Sequence, residues 1–181
     1  VQFAQMSTIY LKNTFSIENP KVGLLNIGTE ETKGNDLVKE TYNILKEHSD
    51  EYGINFIGNV EGRDCFSGEV DSVITDGFTG NVFLKTTEGV GKLVKRNLTE
   101  SLKRNIFTTL CAIPCLPAIK RFSKTMDYKE YGGALFLGVK KPVVKAHGSS
   151  DENLFYFTLK QAENFVKSKV VDKMKEEFEK S

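Results

Sequence analysis

The chain has 181 residues, 39% of them hydrophobic, a length that fits one domain or part of one. Its 25 Lys and Arg nearly balance 24 Asp and Glu, and a net charge of +1 gives no argument for nucleic acid as a partner, so electrostatic recognition has to come from a local cluster. Three cysteines and two histidines are too few and too scattered for a typical metal site, which makes reduced core thiols and a reducing cytoplasm the expectation.

The opening VQFAQMSTIYLK lacks an initiator methionine and starts inside an apolar pattern of Phe3, Met6, Ile9 and Tyr10. That spacing predicts a helix already under way, in a piece cut or processed from a longer protein. KVGLLN, residues 21–26, follows Pro20 and stops at Ile27-Gly28, as a buried strand does. A polar loop, GTEETKG, leads to Asn35, the N-cap of a helix with Leu37, Val38, Thr41 and Leu45 on its apolar face and an end near Gly53. INFIGN reads as a second strand from Ile54. The loop GNVEGRD, a short helix carrying Cys65 and Phe66, and a third strand, VDSVITD, follow.

Strands alternating with helices predict parallel βαβ units whose sheet is covered by helices on both faces, and such sheets bind ligands beyond the carboxyl ends of their strands. Each of the three strands ends in a glycine-containing polar loop: NIGTEETKGN, GNVEGRD and DGFTGN. A long helix is predicted from Asn81 to about Asn105, then an apolar stretch broken by Pro114 and Pro117. Residues 134–139 and 142–146 read as two close strands joined by a short turn. Ser149 to Glu152 fits a capping box, and residues 154–179 form a terminal helix with Leu159, Ala162, Phe165 and Val166 facing inward.

Each loop carries a chemical reading and a plainer one. Residues 28–34 fail as a phosphate loop of the usual kind, because Lys33 precedes the glycine and no dinucleotide fingerprint is present. Even so, Gly34 and Asn35, at the end of the loop that Gly28 begins, open a helix whose first N–H groups suit an anion, with Lys33 beside them; the plainer reading is a solvated lysine. In DGFTGN, Gly77 and Gly80 permit a tight turn while Thr79 and Asn81 offer hydrogen bonds to an anion or a carbonyl; alternatively, Asp76 is a structural cap. Phe78 is either a hydrophobic staple or the wall of an apolar site. In HGSSDEN, His147 is either a general base or a residue that fixes neighbouring loops, and Asp151 favours a helix start. No Gly-x-Ser-x-Gly elbow is present, so Ser149, Ser150 and His147 are not read as a serine triad.

With these loops in hand, the sequence resembles the acyl-carrier-protein-dependent phosphate acyltransferases of bacterial phospholipid synthesis. "NPKVGLLNIGTEETKGN", "FIGNVEGRD", "VITDGFTGNVFLK" and "DYKEYGGALFLGVKKPVVKAHGSSD" stand in family order and spacing. The match is weakest over residues 92–124 and in the terminal helix. Members are roughly twice this length, so residues 1–181 correspond to the carboxyl-terminal part of their single α/β domain; an amino-terminal half with an Asp-x-Met-Gly-Gly-Asp stretch is missing. Met6-Ser7-Thr8 departs from the family's usual Met-Gly-Ser.

The resemblance implies a three-layer α/β/α sandwich with a mostly parallel sheet, like that of isocitrate and isopropylmalate dehydrogenases, in a homodimer without metal or nucleotide cofactor. It implies that inorganic phosphate attacks the thioester of a long-chain acyl carrier protein, giving acyl phosphate and the free carrier thiol. Lys33 and the Gly34-Asn35 helix start are then assigned to phosphate or developing charge, Asn81 with Thr79 to the thioester oxygen or phosphate, and His147 to orientation or proton transfer. Gly28, Gly77, Gly80 and Ser149 belong to the same binding loops, with Asn59 and Asp76 at neighbouring strand ends. A non-catalytic fragment that binds acyl carrier protein, membrane or itself is the alternative from another class. A phosphotransacetylase using coenzyme A shares the fold but explains the quoted blocks less well.

Residues 92–124 form a basic and apolar helical segment of their own. Eight Lys or Arg and a single acid, Glu100, flank the uncharged run IFTTLCAIPCLPAI, residues 106–119. Two prolines and this length exclude a membrane span. Lys103, Arg104, Lys120 and Arg121, with Ile106, Phe107, Leu110 and Leu116, suit contact with an anionic membrane at the inner face of the plasma membrane, or with the acidic carrier protein. A dimer contact, the cover of an acyl-chain tunnel and a buried structural role are the competing readings.

Overall fold

The computed structural model describes residues 1–125, 133–146, 148 and 150–179. The chain divides into two compact units: residues 1–75 with 132–181, and residues 76–131.

The larger unit is built on a parallel sheet of order β2-β1-β3, with β1 at Lys21–Asn26, β2 at Asn55–Glu61 and β3 at Ser72–Ile74. Two helices cover it, α1 (Gln2–Phe15) and α2 (Asp36–His48). The alternation within β1 places Val22 and Leu24 on one face, where they meet Ala4 of α1, Tyr42 and Leu45 of α2, Ile54 and Ile74. Full burial of a side chain such as Leu45 contributes about 1.5–3 kcal/mol. The α2 helix ends at His48, short of the predicted Gly53. The intervening residues close a turn in which Ile54 N–H donates to the Ser49 carbonyl (2.9 Å) and Gly53 takes φ 62.

A bulge sets the aim of β2. Val22 pairs with Phe56 but Leu24 pairs with Asn59, so β2 carries one extra residue there, and Gly58 absorbs it at φ 95. Because side chains alternate along a strand, this slip reverses the faces of everything that follows. Asn59 thereby comes level with Leu24 and Val60 with Leu25; both are buried, and β1 approaches so closely that a Cβ on Gly23 would lie 2.6 Å from Val60 Cγ1.

The rest of this unit packs on the other side of α1. An antiparallel hairpin, β4 (Ala134–Phe136) with β5 (Val143–Lys145), and the helices α6 (Glu152–Lys167) and α7 (Val170–Phe178) bring Phe165, Val170 and Met174 together with Met6, Ile9, Tyr10, Leu135 and Val144. The predicted terminal helix is therefore two, broken where Lys169 takes the left-handed φ of 52. Its predicted inner face is also turned. Phe165 is buried, whereas Leu159 and Val166 are exposed and Leu154 and Thr158 take the inner stripe. The α6 sequence offers two apolar stripes one residue apart. Thr158 is admitted to the buried one because its hydroxyl donates to the Leu154 carbonyl (2.8 Å).

The smaller unit is helical: α3 (Gly77–Leu102), α4 (Ile106–Ala112), a 3-10 turn at Ile113–Cys115 and α5 (Leu116–Thr125). Pro114 falls in the 3-10 turn and Pro117 in the first turn of α5, the two places where a missing N–H costs little. No residue of this unit over 76–122 is buried; Ile106, Phe107 and Leu110 are among its most exposed apolar side chains. Among the described residues, no helix is long and apolar enough to cross a membrane.

Candidate functional site

A sheet of order β2-β1-β3 reverses direction between β1 and β3, and in parallel α/β sheets ligands bind in the crevice outside the strand ends at such a switch point. The loop that leaves β1 there is the one carrying Gly28, Lys33, Gly34 and Asn35. Lys33 N–H donates to the Glu30 carbonyl (3.2 Å), closing a turn. Asn26, the last residue of β1, sends its Nδ2 to the Lys33 carbonyl (3.1 Å) and accepts from Ile27 N–H through Oδ1 (2.8 Å). Asn59 on the neighbouring strand sends its Nδ2 to the Glu30 carbonyl (3.1 Å). Gly34 is required by its backbone and its surroundings: at φ 90 its added Cβ would lie 2.8 Å from Asn26 Oδ1, whereas a Cβ on Gly28 would meet the movable carboxylate tip of Glu30, 2.6 Å away.

Charge in this loop is distributed unevenly. Glu31 accepts from Lys46 Nζ (2.5 Å) and from Tyr42 OH (3.1 Å) on α2. The ammonium, and next the phenol, hold the Glu31 carboxyl below its usual range; burial first, then the Glu31 bond, push the Tyr42 phenol up. The Lys33 ammonium is exposed and has no hydrogen-bond or ion-pair partner among the described residues. Beside it Asn35 caps α2 by accepting from Val38 N–H (3.0 Å), which leaves the N–H groups of Asp36 and Leu37 as open donors at the positive helix end. Asp36 and Glu30 add carboxylates to the same neighbourhood, so any anion there depends on Lys33 and the backbone. In the loop after β2, Arg63 pairs with Glu61 (2.7 Å).

The DGFTGN stretch differs from its reading as a turn. Residues from Gly77 onward are already helical, and Asp76 is the N-cap, its Oδ1 accepting from the N–H groups of Phe78 and Thr79 (2.9 Å each). Hydrogen bonding from the Thr79 hydroxyl, then from these N–H groups, keeps the Asp76 carboxyl below its ordinary range. Gly77 and Gly80 thus sit in the first turn of α3, with Thr79 and Asn81 exposed on it. His147 and Ser149 lie outside the described residues. The helix start expected near them is formed by Asp151, whose Oδ1 accepts from Leu154 N–H (2.9 Å).

In the smaller unit, Lys103, Arg104, Ile106, Phe107, Leu110, Leu116, Lys120 and Arg121 are all exposed. Asn105 and Thr108 form a reciprocal capping box at the start of α4, which lifts the chain out of α3. Sequence reading missed Asn26, Glu31, Tyr42 and Lys46. A carboxamide on the last residue of a strand, just ahead of a glycine loop, was the signal for the first of them.

By its sheet this is a parallel α/β protein, the class that takes ligands at the carboxyl edge of its strands. The chain belongs to the family described as fatty acid synthesis protein, which matches residues 1–173. It is 50% identical over 179 residues to the phosphate acyltransferase of Thermoanaerobacter pseudethanolicus, covering 99% of this chain and 53% of that protein. It is 49% identical over 181 residues to the phosphate acyltransferase of Clostridium perfringens strain SM101, covering 99% and 52%, and 47% identical over 170 residues to that of Bacillus pumilus, covering 94% and 50%. The chain therefore spans about half the length of these curated relatives.

Proposed function

We propose that this chain is the carboxyl-terminal part of a phosphate acyltransferase that moves a long-chain acyl group from acyl carrier protein to inorganic phosphate. The observation that carries this reading is the identity of 50% with a phosphate acyltransferase along 99% of the chain. A dianionic phosphate oxygen attacks the thioester carbonyl carbon, the C–S bond breaks, and the carrier leaves as a thiolate that takes up a proton. Phosphate is largely dianionic at neutral pH by analogy with phosphomonoesters, whose second pKa is about 6, so the protein's task is positioning and charge stabilisation. Lys33 and the open N–H groups at the start of α2 hold phosphate; Thr79 and Asn81 take the thioester oxygen or a phosphate oxygen; His147 orients or passes a proton. Gly28, Gly34 and Asn35 shape the first loop, Gly77 and Gly80 the second, and Ser149 belongs with His147. The parallel sheet supports, as part of this proposal, the three-layer sandwich of isocitrate and isopropylmalate dehydrogenases.

The chain and a full-length relative are incubated separately with long-chain acyl carrier protein and phosphate, and acyl phosphate is detected by mass spectrometry. Product from the relative alone is the expected result, because the missing half contributes to the cleft. Product from neither withdraws the enzyme reading. In the full-length protein, Lys33→Ala and Asn81→Ala lower turnover by about 10- to 1000-fold if each stabilises charge in the transition state. Normal turnover in both sinks the assignment.

A second reading concerns the smaller unit, whose apolar side chains over 76–122 are nowhere buried. Such a surface, flanked by lysine and arginine, supports self-association into a homodimer and peripheral contact with an anionic membrane on the cytoplasmic side. Flotation with anionic vesicles at low salt tests the membrane contact, and absence of binding removes it.

A further inference from the structure

We infer that Asn26 and Asn59 are positioning residues that hold the loop at residues 27–34 in its phosphate-binding form, an inference that rests on the reading of that loop as the phosphate site. A glycine-bearing surface loop has many conformations, and only a fraction present Lys33 beside the α2 start. Here the loop is gripped at two carbonyls. Asn26 Nδ2 holds that of Lys33 (3.1 Å) and Asn59 Nδ2 holds that of Glu30 (3.1 Å), the same oxygen that accepts from Lys33 N–H (3.2 Å). The two amides stand near the carboxyl ends of adjacent parallel strands, so the rigid sheet itself is the frame against which the loop is set.

The chemistry of the position favours a carboxamide. A carbonyl needs a donor, which a carboxylate lacks, and a lysine or arginine would add a competing cation beside Lys33. The orientation of Asn26 is fixed independently, since its Oδ1 must face Ile27 N–H (2.8 Å). Asn59 is the more telling of the two. It is only 7% exposed, and its Oδ1 is buried without a hydrogen-bond partner among the described residues. A buried amide with an orphan acceptor is a poor choice for the core, where an apolar residue of similar size would be tolerated as well or better. What Asn59 does at that position is hold the loop.

The test is ¹⁵N NMR of the full-length protein titrated with inorganic phosphate, with amide exchange read on the same samples. Phosphate shifts the amides of residues 33–37 in the unsubstituted protein. No shift there overturns the phosphate reading itself, and the inference falls with it. Where that shift is seen, Asn59→Leu weakens phosphate binding about tenfold, as for a binding-competent loop populated about a tenth of the time, while the urea midpoint of unfolding stays level or rises. A merely structural asparagine gives the opposite split, a lower midpoint with unchanged affinity, and that outcome overturns the inference. Asn26→Ser, small and neutral, provides the second readout: faster amide exchange in residues 28–33 and weaker phosphate binding, with β1 and β2 amides unchanged. Unaltered affinity in both variants also overturns it.

Discussion

Replacing single glycines with alanine separates backbone strain from steric conflict in this fold, because three glycines meet different conditions. Gly34 has φ 90 and its added Cβ would lie 2.8 Å from Asn26 Oδ1 and 3.0 Å from Val38 Cγ1. Gly53 has φ 62 with nothing within 4 Å, and Gly77, in the first turn of α3, has neither a positive φ nor a neighbour within 4 Å. Gly34→Ala combines strain of about 1–3 kcal/mol with overpacking of about 1–3 kcal/mol, so a loss of about 2–4 kcal/mol is expected after partial relaxation. Gly53→Ala carries only the left-handed penalty of about 1–2 kcal/mol. Gly77→Ala is neutral, or stabilising by up to about 1 kcal/mol, since alanine is the better helix former. Thermal unfolding followed by circular dichroism reads these as shifts of about 2–4 °C per kcal/mol. Equal losses at Gly34 and Gly53 would refute the steric argument, and with it the close seat of Gly34 on Asn26.

Other expectations bear on the helices. The Asp76 carboxyl is held below its usual range, so its contribution to the α3 start is fully present above the unfolded pKa of about 3.9 and is lost as pH falls through the lower folded value. A carboxyl ¹³C titration checks this, and a midpoint at or above the unfolded value contradicts it; Asp76→Asn keeps the cap without the titration. On α6, Phe165→Ala costs about 3–5 kcal/mol whereas Leu159→Ala stays within about 0.5 kcal/mol, which urea unfolding measures directly. Comparable losses at both positions would restore the face predicted from periodicity.

Much of the architecture was legible where local chemistry is unambiguous. KVGLLN is β1 to the residue because a β-branched and apolar run between Pro20 and a glycine loop has one reading, and Asn35 caps α2 because its amide oxygen has an N–H at the third helical position to accept. Periodicity failed on α6, where two adjacent apolar stripes compete and only tertiary contacts choose between them. It also failed at Gly77 and Gly80, whose turn propensity was overridden by the Asp76 cap. The bulge at Gly58 was invisible, since an extra residue in a strand shows only against its partner. Of the candidate site, the loop after β1 was legible from its glycines and lysine. Asn59 was legible only as a strand-end candidate; its bracing role, and Asn26 altogether, were not, because these bonds join residues 29 and 7 positions apart.

The helices over 76–122 have no interior of their own among their described residues. Their folded state is therefore tied to whatever solvates their apolar side chains, and their free energy of unfolding is a property of a mixture. Any species that binds only the folded helices adds about 2.7 kcal/mol when present at 100 times its dissociation constant. A melting curve of this region consequently reports dilution, detergent and lipid content as much as sequence, and a stability quoted for it has meaning only with the composition of the sample beside it.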